Sequence, residues 1–154
     1  MAEYSANAIQ IVNPGETVVF TDSPEPCNRG LVRHRDGTGN FLLSGWVPRR
    51  GCCCKKSKSA NYLIDFGANI SVPEGGTVEE ISLAITIDGS TIPASSMVVT
   101  PAAVNEYFNV SRAINADIWN GCCESVAIRN TSSQPIQVQN ANIIFSRPDL
   151  AITY

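Results

Sequence analysis

The sequence predicts an all-β, antiparallel sandwich or barrel, and three observations carry that reading. Residues 61–72, NYLIDFGANISV, keep a strict period of two: Tyr62, Ile64, Phe66, Ala68, Ile70 and Val72 fall on one face. Leu63, Asp65, Gly67, Asn69 and Ser71 fall on the other, the pattern of a long strand with one buried face. No segment sustains a helical period over ten or more residues. Strand-like runs recur roughly every eight to sixteen residues, each bounded by turn residues. At 154 residues the chain suits one domain able to bury about two-thirds of the surface of its unfolded form.

Taken in order, residues 8–12 and 17–20 are short strand-like runs separated by the turn Asn13-Pro14-Gly15-Glu16. Residues 23–30, SPEPCNRG, read as loop. Residues 31–34 and 40–43 flank Arg35-Asp36-Gly37-Thr38-Gly39 as a hairpin. The longest loop, residues 44–59, contains three consecutive cysteines and leads into the central strand. Pro73-Glu74-Gly75-Gly76 then turns the chain into a second strand carrying Val78, Ile81, Leu83, Ile85 and Ile87, expected to pair antiparallel with the central one. After a turn at residues 88–93 come a short strand at 97–100 and an extended run over 106–119. Asn120-Gly121 is a turn, residues 122–130 alternate again, and residues 131–135 turn into a last strand over 136–146. There the apolar phase shifts from even (Ile136, Val138) to odd (Ile143, Phe145), which predicts a bulge near Asn140. The expected division is an N-terminal arm at 1–8, a β domain at 9–148 and a C-terminal tail at 149–154.

Charged residues make up 16% of the chain, against about 25% in an average soluble domain. The surface must therefore be rich in amides, hydroxyls and small side chains, as in a protein that covers itself by association. A net charge of −3 gives no electrostatic case for nucleic acid. The one basic run, Arg49-Arg50 with Lys55, Lys56 and Lys58, reads as a solvated loop with no aromatic platform. No window approaches the ~20 apolar residues of a membrane span. MAEYSANAIQ lacks a basic and apolar signal-peptide pattern, so synthesis in a cytoplasm without secretion through a cleaved signal is the expectation.

Catalysis is not expected. His34 is the only histidine and sits on the early hairpin, away from the cysteine-bearing loops, so a nucleophile has one imidazole to call on. Asp22, Glu25, Asp36, Asp65, Asp88 and Asp117 form no spaced acid–base pair, and Gly75-Gly76 is followed by neither a helix nor a lysine. No cofactor is implied. The six cysteines are Cys27, Cys52, Cys53, Cys54, Cys122 and Cys123. In an antiparallel sandwich alternate loops share an end, and this parity gathers all three cysteine-bearing loops at one pole. Inter-loop disulfides, free thiols and a thiolate metal site are the competing readings, the last disfavoured by the lack of CxxC spacing. The same parity puts Trp46 and Trp119 towards that pole, where exposed rings would suit a carbohydrate-binding or host-adhesion module.

Between Asp36 and Phe145, DGTGNFLLSG, the strand beginning at Tyr62, EEISLAITIDG, YFNVSRAINADIWNGCC and ESVAIRNTSSQPIQVQNANIIF follow one another in an order that resembles the trimeric jelly roll of the tumour-necrosis-factor and complement-collagen superfamily. TPAAVNEYFNV and QPIQVQNANI further resemble bacteriophage and prophage head-fibre or capsid-decoration proteins. The resemblance implies a homotrimer whose A, C, F and H strands face the threefold axis, here the strands around Ile9, 62–72, 107–119 and 136–146. Leu63, Asp65, Asn69 and Tyr107 become candidate subunit contacts. It further implies a non-enzymatic structural virion protein on the capsid exterior, made in the bacterial cytoplasm. Its partners would be itself, the major capsid protein through the N-terminal arm, and in the adhesion reading a cell-surface glycan.

Overall fold

The computed structural model describes residues 1–27, 30–48 and 58–150. Among these the strands are β1 (Ala2–Ala6), β2 (Gln10–Val12), β3 (Asp22–Glu25), β4 (Val32–His34), β5 (Phe41–Ser44), β6 (Ser59–Ser71), β7 (Ile81–Ile87), β8 (Ser90–Thr91), β9 (Met97–Val99), β10 (Phe108–Trp119), β11 (Cys123–Asn130) and β12 (Ile136–Ser146). They form two antiparallel sheets. The first runs β10-β6-β12-β1-β3, with β2 also paired to β12; the second runs β4-β5-β11-β7-β8, with β9 also paired to β7.

The alternation along residues 61–72 does what its period requires. Tyr62, Ile64, Phe66, Ala68, Ile70 and Val72 are all buried against the second sheet, and β6 lies between β10 and β12. Opposite them pack Phe41, Leu43, Ile81, Leu83, Ile85 and Ile128. An aromatic cluster closes one side of this core: Phe41 lies 4.9 Å from Tyr4, 5.1 Å from Phe20 and 5.0 Å from Phe145 between ring centroids. His34 stacks on Phe41 at 4.3 Å. The early hairpin forms as expected, with Val32, Arg33 and His34 opposite Leu43, Leu42 and Phe41. The phase shift in the last strand is a bulge between Gln139 and Asn142, with Asn140 at φ 52°, a left-handed conformation that asparagine tolerates better than most residues.

Five expectations need correction. The Pro73–Gly76 turn does not make a hairpin of β6 and β7, which lie in different sheets; the turn reverses the chain while carrying it across the sandwich, so the two apolar faces meet face to face. Within the expected loop at 23–30, residues 23–25 belong to β3, at the margin of the first sheet, where a strand can carry Pro24 without a ladder donor. Residues 2–6 are not a free arm. They form β1, paired with β12 on one side and β3 on the other, and Ala2, Tyr4 and Ala6 are buried. Residues 17–20 form no continuous strand; they cross to the second sheet through single bridges, Thr17 to Arg129 and Phe20 to Thr38. Of the tail expected at 149–154, Asp149 and Leu150 belong to one turn of 3-10 helix, Pro148–Leu150, and residues 151–154 lie outside the described residues.

One buried polar side chain ties the end of this sandwich together. Asn130 is fully buried; its Nδ2 donates to the carbonyls of Val12 and Gln134, both at 2.9 Å, and its Oδ1 accepts from the Ser132 amide at 2.8 Å. Asn130→Ala would leave those backbone groups without partners in a dry site. It is expected to lower unfolding free energy by about 2 to 4 kcal/mol, read from urea denaturation monitored by tryptophan emission.

Candidate functional site

Because β6 buries its even-numbered side chains, its odd-numbered ones are forced to the opposite face, and the pairing with β10 and β12 extends that face sideways. Leu63 stands between Asn115 and Ser146, Asp65 between Ala113 and Ile144, and Asn69 between Asn109 and Gln139. Side-chain hydrogen bonds lace this surface. Asn109 Nδ2 donates to Asn69 Oδ1 at 3.1 Å, and Gln137 Oε1 accepts from Ser71 Oγ at 2.9 Å and from the Tyr107 hydroxyl at 3.3 Å. Further along, Asn142 Nδ2 donates to Glu3 Oε1 at 2.6 Å and Asn61 Nδ2 to Asp117 Oδ1 at 2.9 Å. The structure thus brings Leu63, Asp65, Asn69 and Tyr107 onto one surface. Its outward positions on β1, β6, β10 and β12 carry Glu3, Asp65 and Asp117 but no lysine or arginine. Ile11, opposite Gln137, adds an exposed apolar side chain at one end.

At the other end of β6 lies a second constellation. The Tyr62 hydroxyl sits 2.6 Å from the Ser44 carbonyl, its hydrogen-bond acceptor, and 3.0 Å from the Leu31 carbonyl. The Arg147 guanidinium stacks 4.7 Å above the Tyr62 ring. Arg147 also donates through Nη1 and Nη2 to the Trp46 carbonyl, both at 3.2 Å, and through Nε and Nη2 to Asp149 at 2.8 and 2.7 Å. Burial raises the pKa of the Tyr62 phenol, and the hydrogen bond from Arg147 holds the Asp149 carboxyl below its ordinary range. The sequence reading missed this knot: Arg147 and Asp149 flank a proline just beyond the last alternating residue, where a chain terminus looks like tail.

The cysteines are distributed around the same end. Cys123 pairs with Ser44, the Cys122 carbonyl accepts from the Gly45 amide at 2.8 Å, and both thiols are exposed. Cys27 is partly buried beside Leu31, Tyr62 and Arg147, where it lines a cleft of about 480 Å³. Cys52, Cys53 and Cys54 lie outside the described residues, and no disulfide, thiol or metal assignment rests on them. Trp46 and Trp119 also lie at this pole and are exposed. His34 sits apart from it, its ring nitrogens 3.0 Å from the Asn40 carbonyl and 3.3 Å from the Phe20 carbonyl. Those contacts and the stacking on Phe41 make it a packing residue of the hairpin.

No family model matches the chain, and no curated protein is significantly similar to it in sequence. Solved structures are similar in fold. Eiger, a tumour necrosis factor from S. frugiperda, aligns with a TM-score of 0.64 at 12% identity, covering 99% of this chain and 93% of that one. The globular domain of zebrafish complement 1qA protein aligns with a TM-score of 0.57 at 14% identity, covering 93% of this chain and 94% of that one. The fold is therefore an antiparallel jelly roll of the tumour-necrosis-factor and complement type.

The Arg147–Asp149 pair has a pH signature. A carboxyl whose pKa is lowered by folding contributes stability above its unfolded value, ordinarily 3.8, and loses it as pH falls through the lower folded value. Asp149→Asn is expected to be less stable than the parent at pH 7, with the difference shrinking below about pH 3.8 in urea titrations at both pH values.

Proposed function

We propose that this protein is a non-enzymatic structural component of a bacteriophage virion, a trimeric jelly roll on the outside of the capsid that stabilises the shell or presents a weakly adhesive surface. The observation that carries the trimer is the condition of β10. This strand is twelve residues long and pairs only with β6 among the described strands. A long bare edge of this kind invites pairing or covering by another chain. Beside it lies the amide-rich face around Leu63, Asp65 and Asn69, with small residues at Gly67, Ser111 and Ala113 that let another backbone approach closely. In the proposed assembly the β10 edge of one subunit is covered by the first-sheet face of the next, and the threefold count comes from the resemblance to trimeric jelly rolls.

The virion reading draws on the segments that resemble head-fibre and decoration proteins. TPAAVNEYFNV and QPIQVQNANI are far apart in the chain, yet the Tyr107 hydroxyl of one reaches Gln137 of the other at 3.3 Å. They form one continuous patch with Ile11 and Asn69, a suitable anchor for subunit or shell contact. Since residues 2–6 are built into the sheet, attachment to the major capsid protein is proposed through a preformed surface rather than a free arm. Many weak contacts repeated over one particle would sum to firm attachment.

Light scattering on the purified chain is expected to return three times the 16.5 kDa chain mass. Ser111→Arg, a charge placed on the exposed face of β10, is expected to return the monomer mass with unchanged circular dichroism; a parent that is monomeric at micromolar concentration would sink the trimer. A density map of the native particle should carry the jelly roll on the outer shell surface. Its absence from purified virions would remove the capsid role while leaving the trimer intact.

A further inference from the structure

The cysteine pole also carries exposed aromatic side chains. Trp119, the last residue of β10, is 62% exposed, and Trp46 is 52% exposed. On β10, Ala116 and Ile118 are buried, so Asp117 and Trp119 point away from the core on one face. Two residues of strand separate them by about 7 Å. Across the ladder Asp117 faces Asn61 and Trp119 faces Ser59, and Asn61 donates one hydrogen bond to Asp117 at 2.9 Å. That bond uses one amide proton and one carboxylate lone pair. Among the described residues it leaves the pair with a second N–H, an amide oxygen and further carboxylate capacity, with Asp117 exposed and Asn61 partly so.

We propose that Trp119, Asp117 and Asn61 form a binding site for a neutral saccharide, with Trp119 as the stacking platform, the Asp117–Asn61 pair reading hydroxyl groups, and Trp46 as a second aromatic on the same rim. A pyranose has an apolar C–H face that lies flat on an indole, and equatorial hydroxyls that both donate and accept at its edge. The pair supplies both complements within one sugar's reach of the ring. The site is built on held backbone. The Trp119 carbonyl accepts from the Cys122 amide at 2.9 Å, and the Asn120 amide donates to the Lys58 carbonyl at 2.8 Å. The Trp46 carbonyl is held by Arg147. Gly45 joins the two tryptophan segments, since a Cβ there would collide with the Trp119 carbonyl. These contacts fix the backbone beneath both rings, so no backbone ordering is left to be done on binding.

Other occupants fit less well. Among the described residues, Trp119 faces Ser59 across the ladder and shares its face with Asp117 and Asn61, all polar, which suits a sugar edge better than the apolar surround that anchors a protein partner. Asp117, inside the hydroxyl-reading pair, disfavours an acidic group at that position; exposed Lys58, adjoining Ser59, is a counter-charge that the acidic members of a saccharide panel test. The site lies at the end of the first-sheet face away from the Tyr107 patch: Phe108 and Trp119 are at opposite ends of β10, about 37 Å apart.

Trp46 and Trp119 are the only tryptophans in the chain, so indole emission reports on this pole alone. The whole chain would be titrated with a panel of neutral and acidic tri- to hexasaccharides, with emission and calorimetry as readouts and light scattering on every variant. At least one neutral oligosaccharide is expected to shift the emission and the acidic members to fail. Trp119→Ala is expected to weaken binding about tenfold or more, the equivalent of about 1.4 kcal/mol, and Asp117→Ala to weaken it with the emission of the free protein unchanged. Ser111→Arg should keep binding whatever it does to the oligomer. The proposal is overturned by a panel with no neutral binder, by binding that survives both Trp119→Ala and Asp117→Ala, or by a Trp119→Ala variant whose mass falls, which would make the ring a subunit contact.

Discussion

Everything in this molecule depends on the parity of β6. A strand paired on both sides has no freedom to rotate its side chains away from the two faces of the sheet, and moving the register by one residue would exchange every buried group for an outward one. Tyr62, Ile64, Phe66 and Ile70 are fully buried on one face. At roughly 1.5 to 3 kcal/mol for each large apolar side chain removed from water, such a slip is prohibitive. The outward set is then fixed as a consequence of the inward set. The polar, base-free surface of the first sheet is the other half of the pattern that makes the core.

That coupling explains which parts were legible in the sequence. Wherever alternation was long, as in 61–72, or its phase changed within a strand, as between Val138 and Ile143, the structure follows the pattern down to the bulge at Asn140. Pairing partners were less visible. Pro73–Gly76 encodes a reversal, but turn chemistry does not say whether the chain returns beside β6 or across from it, and the apolar faces of β6 and β7 are satisfied by either. β1 was missed because AEYSA carries one large apolar residue, Tyr4, and its burial comes from partners far along the chain. β3 was hidden by Pro24, which is tolerated only because the strand lies at the margin of its sheet.

The candidate surfaces divide the same way. Loop parity could gather Trp46, Trp119 and the cysteine-bearing loops at one end, since it needs only the count of strands. It could not pair Asn61 with Asp117, which requires the β6–β10 register, nor foresee that Arg147 would stack on Tyr62 and bind the Trp46 carbonyl. Those contacts join residues up to 101 positions apart and leave no local periodicity to read. Polar side chains here act mostly as ties between backbone segments, Asn130 and Arg147 at opposite ends of the sandwich, and the one histidine is absorbed into packing.

The position of β1 has a consequence for how the protein is made. Its Glu3 bonds Asn142, 139 residues later, so the first strand of this fold to be synthesised is seated beside its last. Until β12 is delivered, the first sheet lacks the strand that joins β6 to β1, and the nascent chain waits with apolar edges uncovered. Such non-local closure is slow and exposes the chain to off-pathway association. Delivery of β12 is therefore a checkpoint for this fold: a chain interrupted before residue 136 lacks the strand that closes the first sheet.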